Sequence, residues 1–445
     1  MKNILPTEVN TAISKLEKAG HKAYVVGGAV RDFLLGKQPH DFDLATSATP
    51  VEIKEVFSDC KTFDTGIRHG TILVIINDRQ LEITTFRTDG NYSDNRHPDS
   101  VSFTGSIEED LARRDFTVNA IAYSPSDGII DPFGGQEDLK NKIIRAVGNP
   151  EKRFSEDALR IARAVRFAAQ LGFMIEENTD RALFKLRDTL KNIAVERFYT
   201  ELIKTICAPA AGVVLLAYHE IFSVWIPEIE PMVSFDQKNK HHIHSVWMHT
   251  VIVLSSVDNK PALRLAALLH DSGKPVTFKI GDDNQGHFYH HYAASCNIAE
   301  KVFERLRVDH ATAAYALDII RHHDHYLTND EKRLKRVLSR FGEEYMYDLI
   351  KFQKADNMGQ HPDFRFRQDE LDEVKKTVDR LIEEDSCFKL KDLAVSGNDL
   401  IDLGIPAGRE IGKILTGLLD AVMDEELENK KEILLAKAKE WHLTA

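Results

Sequence analysis

Apolar positions along the chain follow two different periods. Up to about residue 148, short β-branched runs alternate with polar turns: Ala23 to Val26, Thr71 to Ile76 (TILVII) and Leu81 to Phe86 (LEITTF) read as strands, and Ala29 to Leu35 has the spacing of a short helix. Beyond Asn149-Pro150 the apolar period changes to about 3.6 and holds almost to Ala445, which predicts a run of helices. The expected fold is therefore an α/β head followed by an all-α neck, body and tail, with no fixed-period repeat and no low-complexity linker. The segment from Arg153, RFSEDALRIARAVRFAAQLGF, is expected as one helix with Ser155 as its N-cap and Glu156-Asp157 in its first turn. On it, Asp157, Arg160, Arg163 and Arg166 share one face, and Leu159, Ala162, Val165 and Ala169 another.

A chain of 445 residues exceeds one ordinary core and predicts two to four domains, and 43% hydrophobic with 29% charged residues is the composition of a folded soluble protein. No apolar run has the length to span a bilayer, and the polar start MKNILPTEVN lacks a signal peptide's apolar core, so a cytoplasmic location is expected. Cys60, Cys207, Cys296 and Cys387 form no CxxC pair, which excludes a cysteine zinc site or a disulfide framework as the organising principle. A net charge of −12 opposes long-range attraction of a polyanion, so any RNA site must be local. Lys332 to Arg340 (KRLKRVLSR) is one such basic stretch.

Candidate chemistry begins in AYVVGGAVRDFLLGKQPHDFDLAT, residues 23–46. Gly27 and Gly28 join the predicted strand to the predicted helix; without a Cβ, a triphosphate can approach the main chain, and the first helical N–H groups point at its charge. Arg31 lies one turn inside. Asp41 and Asp43 bracket Phe42, so a strand sends both carboxylates to one face and Phe42 to the other. Two adjacent like charges call for a cation, and Mg²⁺, which takes a few carboxylate oxygens plus substrate phosphates, fits. Glu82, in LEITTF, is the candidate third carboxylate. The polar stretch Phe86 to Phe103 reads as a long loop beside this site. In RRDFTVNA, the double arginine Arg113-Arg114 offers guanidinium donors suited to a triphosphate, while Asp131-Pro132-Phe133-Gly134-Gly135 reads as a structural turn or cap. An Asp beside an Arg, as in Asp157 and Arg160, can accept the amino group and donate to the ring nitrogen of cytosine or adenine, whereas uracil and guanine present the reverse pattern. These features argue for a nucleotidyl transferase.

The ordered motifs GGAVRD…DFD, RRDFTVNA, DPFGG, EDALRIARAVRF and ERFYTEL resemble, without a gap, those of the class II tRNA nucleotidyltransferase and bacterial poly(A) polymerase family of the polymerase β superfamily. The resemblance implies metal binding by Asp41 and Asp43, triphosphate contact by Gly28, Arg31 and Arg114, and base selection by Asp157 and Arg160. It also implies that Arg163 and Arg166 line the nucleotide pocket and that Glu196, Arg197 and Glu201 brace the neck. Within the family, the Phe86–Phe103 loop, GIRHGT from Gly66, and the C-terminal LAVSGNDLIDLGIPAGREIGKIL look like CCA-adding members. The expected activity is template-independent addition of C and A to the tRNA 3′ end from CTP and ATP with Mg²⁺; addition of A alone, or of a poly(A) tail, is the alternative.

Twelve of the nineteen histidines fall between His241 and His325. His249, His270-Asp271, His291 and His323-Asp324 occur in an order that resembles the HD phosphohydrolase superfamily, which implies one divalent transition metal held by His249, His270, Asp271 and Asp324. His290 stands where relatives usually have glycine. Such a site could activate water against a phosphoester such as a damaged RNA 3′ end, and a metal-dependent phosphohydrolase with an RNA-binding head is the rival from another class. The expected boundaries are 1–149 for the head, 150–235 for the neck and an RNA-binding region, 236–345 for the HD domain, and 346–445 for the remaining body and tail with tRNA binding.

Overall fold

In the head, the strands Ala23–Val26 (β1), Asp43–Thr46 (β2), Lys61–Gly66 (β3), Thr71–Ile76 (β4) and Arg79–Thr85 (β5) form where β-branched runs alternate with turns. They are joined by Arg87–Asp89 (β6), Val101–Phe103 (β7), Ala122–Ser124 (β8) and Gly128–Ile130 (β9). The computed structural model describes residues 5–39, 41–90, 100–384 and 388–444. Seven strands make one sheet in the order β3-β4-β5-β2-β1-β8-β9, and β6 pairs with β7 separately. Only the β2–β5 pairing within that sheet is parallel; β1 is antiparallel to β2 and to β8. The register aligns Val26 with Asp43 and Asp43 with Glu82, so the end of β1 and the two acids come side by side. Behind them, Tyr24, Val26, Ala45, Phe86, Leu111 and Val147 pack into a core, which fixes this register because a one-residue slip would turn every core side chain outward.

Asp131 caps the Gly135–Asn141 helix, its carboxylate accepting from the Gly135 and Gln136 amides at 2.7 and 2.8 Å. Asn149 caps the next helix, Pro150–Glu156, with Pro150 at its first position. The sequence from Arg153 is thus two helices rather than one. Asp157 leaves helical geometry at φ −141 and ψ 106, and a second helix runs Leu159–Leu171. Ser155 is consequently not an N-cap; it lies at the end of the first helix and donates to Glu151 O. The break arises because Asp157 caps locally, accepting from the Leu159 amide at 3.1 Å.

The chain divides into two compact units, Met1–Glu230 with Glu304–Val308, and Pro231–Phe303 with Asp309–Ala445. Among the described residues the second is helical apart from a two-stranded ribbon, Lys279–Ile280 with Gly286–His287; in the first, Ile143–Ile144 at the end of the head pairs in parallel with Met174–Ile175, which follows the Leu159–Leu171 helix. The Glu331–Met358 helix bends at Gly342, φ 85, and runs through the expected boundary at residue 345. Among the described residues no helix is long and apolar enough to cross a membrane. Cys60, Cys207 and Cys296 are not joined in disulfides, whereas Cys387 and residues 91–99 of the expected loop lie outside the described residues.

Candidate functional site

After Val26 the chain turns through Gly27, at φ 71 and ψ −131, into the Gly28–Leu34 helix. Glycine suits this turn twice over. The positive φ strains other residues, and a Cβ there would stand 3.0 Å from Arg114 Nη1. Arg31 donates from Nε to Asp32 and from Nη1 to Asn119 Oδ1, each at 2.8 Å. Arg114 donates from Nη2 to Asp110 at 3.3 Å, while its buried Nε–H has no hydrogen-bond partner among the described residues. A buried donor of this kind awaits an acceptor. Asp110, wholly buried, also holds Arg113 at 2.7 Å.

The strand β2 begins at Asp43, so Asp41 and Phe42 precede it, yet the alternation persists: Asp41, Asp43 and Glu82 are exposed and Phe42 is buried. Desolvation pushes the Asp43 carboxyl upward; the Arg114 guanidinium opposes this, and the Asp41 carboxylate adds to it. That concentration of negative charge fits a divalent cation. Among the described residues, Asp41, Asp43 and Glu82 do not converge to within 4.8 Å as a set of three.

The Leu159–Leu171 helix buries two of its arginines, Arg160 and Arg166 each being only 8% exposed. Arg163 donates from Nε and Nη2 to Asp115 at 2.8 and 2.6 Å. Asp115 also accepts from the Phe116 amide and Asn119 Nδ2, at 2.8 and 3.1 Å. Burial opposes its ionisation, yet Arg163 and these donors bring its pKa down to about 2. Arg166 pairs with Glu201. Arg31, Arg163 and Arg166 surround the Phe167 ring, with guanidinium carbons 5.3, 5.4 and 4.1 Å from its centroid. Asp157 and Arg160 have different side-chain partners: Arg197 reaches Asp157 at 3.0 Å, and Glu156 takes Arg160 at 2.7 Å. Asp110, Asp115, Asn119 and Phe167 went unassigned in the sequence. The RRDFTVNA motif contains two of them, but only folding shows that Asp115 and Asn119 link Arg163 to Arg31.

In the second unit, His249, His270, Asp271 and Asp356 bring ligand atoms within 4.8 Å of one another. Asp356 Oδ1 lies 3.0 Å from His249 Nε2 and 3.5 Å from His270 Nε2. Asp324, expected in that place, is elsewhere: its side chain is 55% exposed, and its carboxylate is 3.9 Å from His291 Nδ1. The Glu331–Met358 helix returns Asp356 to the cluster from far along the chain, which local motif spacing could not reveal. Burial disfavours a charged His270, but Asp271 and Asp356 outweigh it and push its pKa up to about 10. Burial likewise opposes ionised Asp271, while His270 and Lys274 hold it well below the usual carboxylate range. This mixed imidazole and carboxylate set fits a divalent transition metal. His290 adopts φ 58, the left-handed conformation that glycine favours, so the turn before His291 forms without one. A cavity of about 680 Å³ opens at the cluster, lined in part by Lys274, Tyr289, His291, His323 and Asp324.

Residues 23–145 match the family model described as the Poly A polymerase head domain, 172–233 the probable RNA and SrmB-binding site of polymerase A, 219–356 the HD domain, and 309–438 tRNA nucleotidyltransferase domain 2. Together with the sheet and its glycine elbow, these define a tRNA nucleotidyltransferase with an HD domain. The CCA-adding enzyme of Ligilactobacillus salivarius is 35% identical over 447 residues, covering 98% of this chain and 97% of that protein. That of Streptococcus thermophilus is 34% identical over 441 residues, covering 97% of each. The crystal structure of Bacillus stearothermophilus CCA-adding enzyme in complex with CTP shares the fold at a TM-score of 0.69 and 29% identity, covering 98% of this chain and 97% of that one. The chain belongs to the CCA-adding enzyme family.

Proposed function

We propose that this protein adds C, C and A to the 3′ ends of tRNA from CTP and ATP, without a nucleic-acid template. The observation that carries this reading is whole-length similarity to CCA-adding enzymes combined with the glycine elbow, its two arginines and the adjoining acids. Gly28, Arg31 and Arg114 bind the triphosphate, the free Arg114 Nε–H being a ready donor. Asp41 and Asp43, with Glu82 beside Asp43 in the sheet, would hold Mg²⁺, which when bound supplies Lewis-acid activation of the primer hydroxyl and neutralises the departing pyrophosphate.

Asp157 and Arg160 read the base. Their present partners leave hydrogen-bonding capacity to spare, since a carboxylate has about four acceptor sites and a guanidinium five N–H donors. Cytosine and adenine complete both groups, whereas uracil or guanine sets donor against donor. Arg163 and Arg166, anchored by Asp115 and Glu201, wall the pocket around Phe167. Extension of tRNAs ending before CCA, at CC and at CCA, with each nucleotide supplied singly and together, tests this reading. Growth that stops at CCA is expected; continued addition of A would make the protein a poly(A) polymerase instead.

A second reading, metal-dependent phosphoester hydrolysis in the second unit, is favoured by the convergence of His249, His270, Asp271 and Asp356.

A further inference from the structure

Asp110 lies on the short Ile107–Ala112 helix and is wholly buried. One carboxylate oxygen, Oδ1, accepts from the Arg87 amide at 3.3 Å and from Arg113 Nε and Nη2 at 3.0 and 2.7 Å. The other, Oδ2, accepts from Arg114 Nη2 at 3.3 Å. A carboxylate has about four acceptor sites, so the protein's own donors fill this one. A negative charge placed behind a triphosphate site repels the substrate, and its place there calls for a compensating role.

That role follows from how Arg114 is held. Its Nη1 stands beside the elbow, where a Cβ on Gly27 would come within 3.0 Å of it. Its Nη2 is fixed on Asp110, and its buried Nε–H has no hydrogen-bond partner among the described residues. The five donors of a guanidinium keep a rigid fork, so fixing Nη2 and Nη1 also fixes the direction of Nε–H. Arg114 lies close enough to Asp43 to favour its ionised form. A guanidinium free to turn would close on that carboxylate instead of on phosphate. Arg113 and the Arg87 amide anchor Oδ1, which keeps Oδ2 from swinging away from Arg114.

We propose that Asp110 is a positioning residue for the transferase reaction, holding Arg114 at the elbow and off Asp43 so that its Nε–H meets the triphosphate. It touches no reacting atom itself. The proposal rests on reading Arg114 as a triphosphate donor, and the test separates the two claims.

Asp110→Asn keeps the shape and changes the donors. An amide that keeps its oxygen on the Arg113 side turns its NH2 toward Arg114 Nη2, donor against donor. The full chain is run in reverse, inorganic pyrophosphate releasing ATP from tRNA ending in CCA, because pyrophosphate has no base and reads the phosphate contacts alone. The KM for pyrophosphate is expected to rise about tenfold or more in Asp110→Asn, with a smaller change in kcat. Charge alone predicts the opposite sign, since removing an anion should tighten pyrophosphate binding. A merely structural role would lower the melting temperature and leave this KM unmoved. Asp110→Asn added to Arg114→Met should raise KM no further than Arg114→Met alone. A KM that is unchanged or lower in Asp110→Asn, or a further rise in the Arg114→Met background, overturns the proposal. An unchanged KM in Arg114→Met overturns the reading of Arg114 and the proposal with it. If Asp110→Asn does not fold, Arg114→Lys decides, because lysine keeps the charge but not the fixed angle between Nη2 and Nε. Its KM should rise toward that of Arg114→Met, and a KM equal to the parent's overturns the proposal.

Discussion

Asp115→Asn tests the link between the base-pocket helix and the triphosphate elbow. The carboxylate is buried, takes two bonds from Arg163, and reaches Arg31 through Asn119, whose Nδ2 donates to Asp115 while its Oδ1 accepts from Arg31. Its pKa falls from 3.8 to about 2 in the folded protein. A difference of nearly two units corresponds to about 2.5 kcal/mol of stability in the ionised state. Because the folded value is the lower one, this contribution is complete above about pH 5 and is lost as pH falls from about 4 to about 2. The asparagine variant keeps the shape but loses the charge opposite Arg163, so a loss of about 2–3 kcal/mol is expected at pH 7. Hydrogen exchange of peptides covering 113–120 and 159–171, followed through urea, measures it. The loss should be constant from pH 8 to pH 5, Arg163→Met should abolish most of the further effect of Asp115→Asn, and KM for CTP should rise as Arg31 loses its support. A difference below about 0.5 kcal/mol at pH 7, or one that changes between pH 8 and pH 5, would refute this account of Asp115.

Asp41→Asn with Asp43→Asn should abolish nucleotide addition in a primer-extension assay while leaving the melting temperature near that of the parent, since both side chains are exposed. Gly27→Ala should cost about 1–3 kcal/mol from its positive φ and displace Arg114, lowering kcat/KM at least tenfold; denaturation and steady-state kinetics check the two effects. Asp157→Ala should narrow the preference for CTP over UTP by about a hundredfold in single-nucleotide incorporation, the loss of roughly 2–3 kcal/mol of discrimination. His270→Ala should remove the metal of the second unit without slowing CCA addition, as metal analysis and the extension assay would show.

The switch from strands to helices near residue 149 was legible because burial imposes different periods on the two kinds of element. The elbow, the paired acids and the RRD segment were legible because their chemistry is packed into short stretches. The Asp157 break was not: the helical period runs straight through it, and only the local cap interrupts the backbone. The partners of the arginines were equally hidden. Asp115 lies 48 residues from Arg163, and Glu201 meets Arg166 only when two helices pack. Asp356 escaped for the same reason. Asp324 follows a histidine and looks like a ligand in sequence, but the long helix after it delivers the carboxylate that reaches His249.

The central claim is that one pocket couples the glycine elbow to an Asp–Arg base reader. Its most direct test is a crystal structure of the protein with CTP and Mg²⁺. The account predicts phosphates on Gly28, Arg31 and Arg114, a cation on Asp41 and Asp43, and the cytosine amino group on Asp157 with its ring nitrogen on Arg160. A triphosphate bound away from the elbow, or a cytosine edge that meets neither residue, would contradict it.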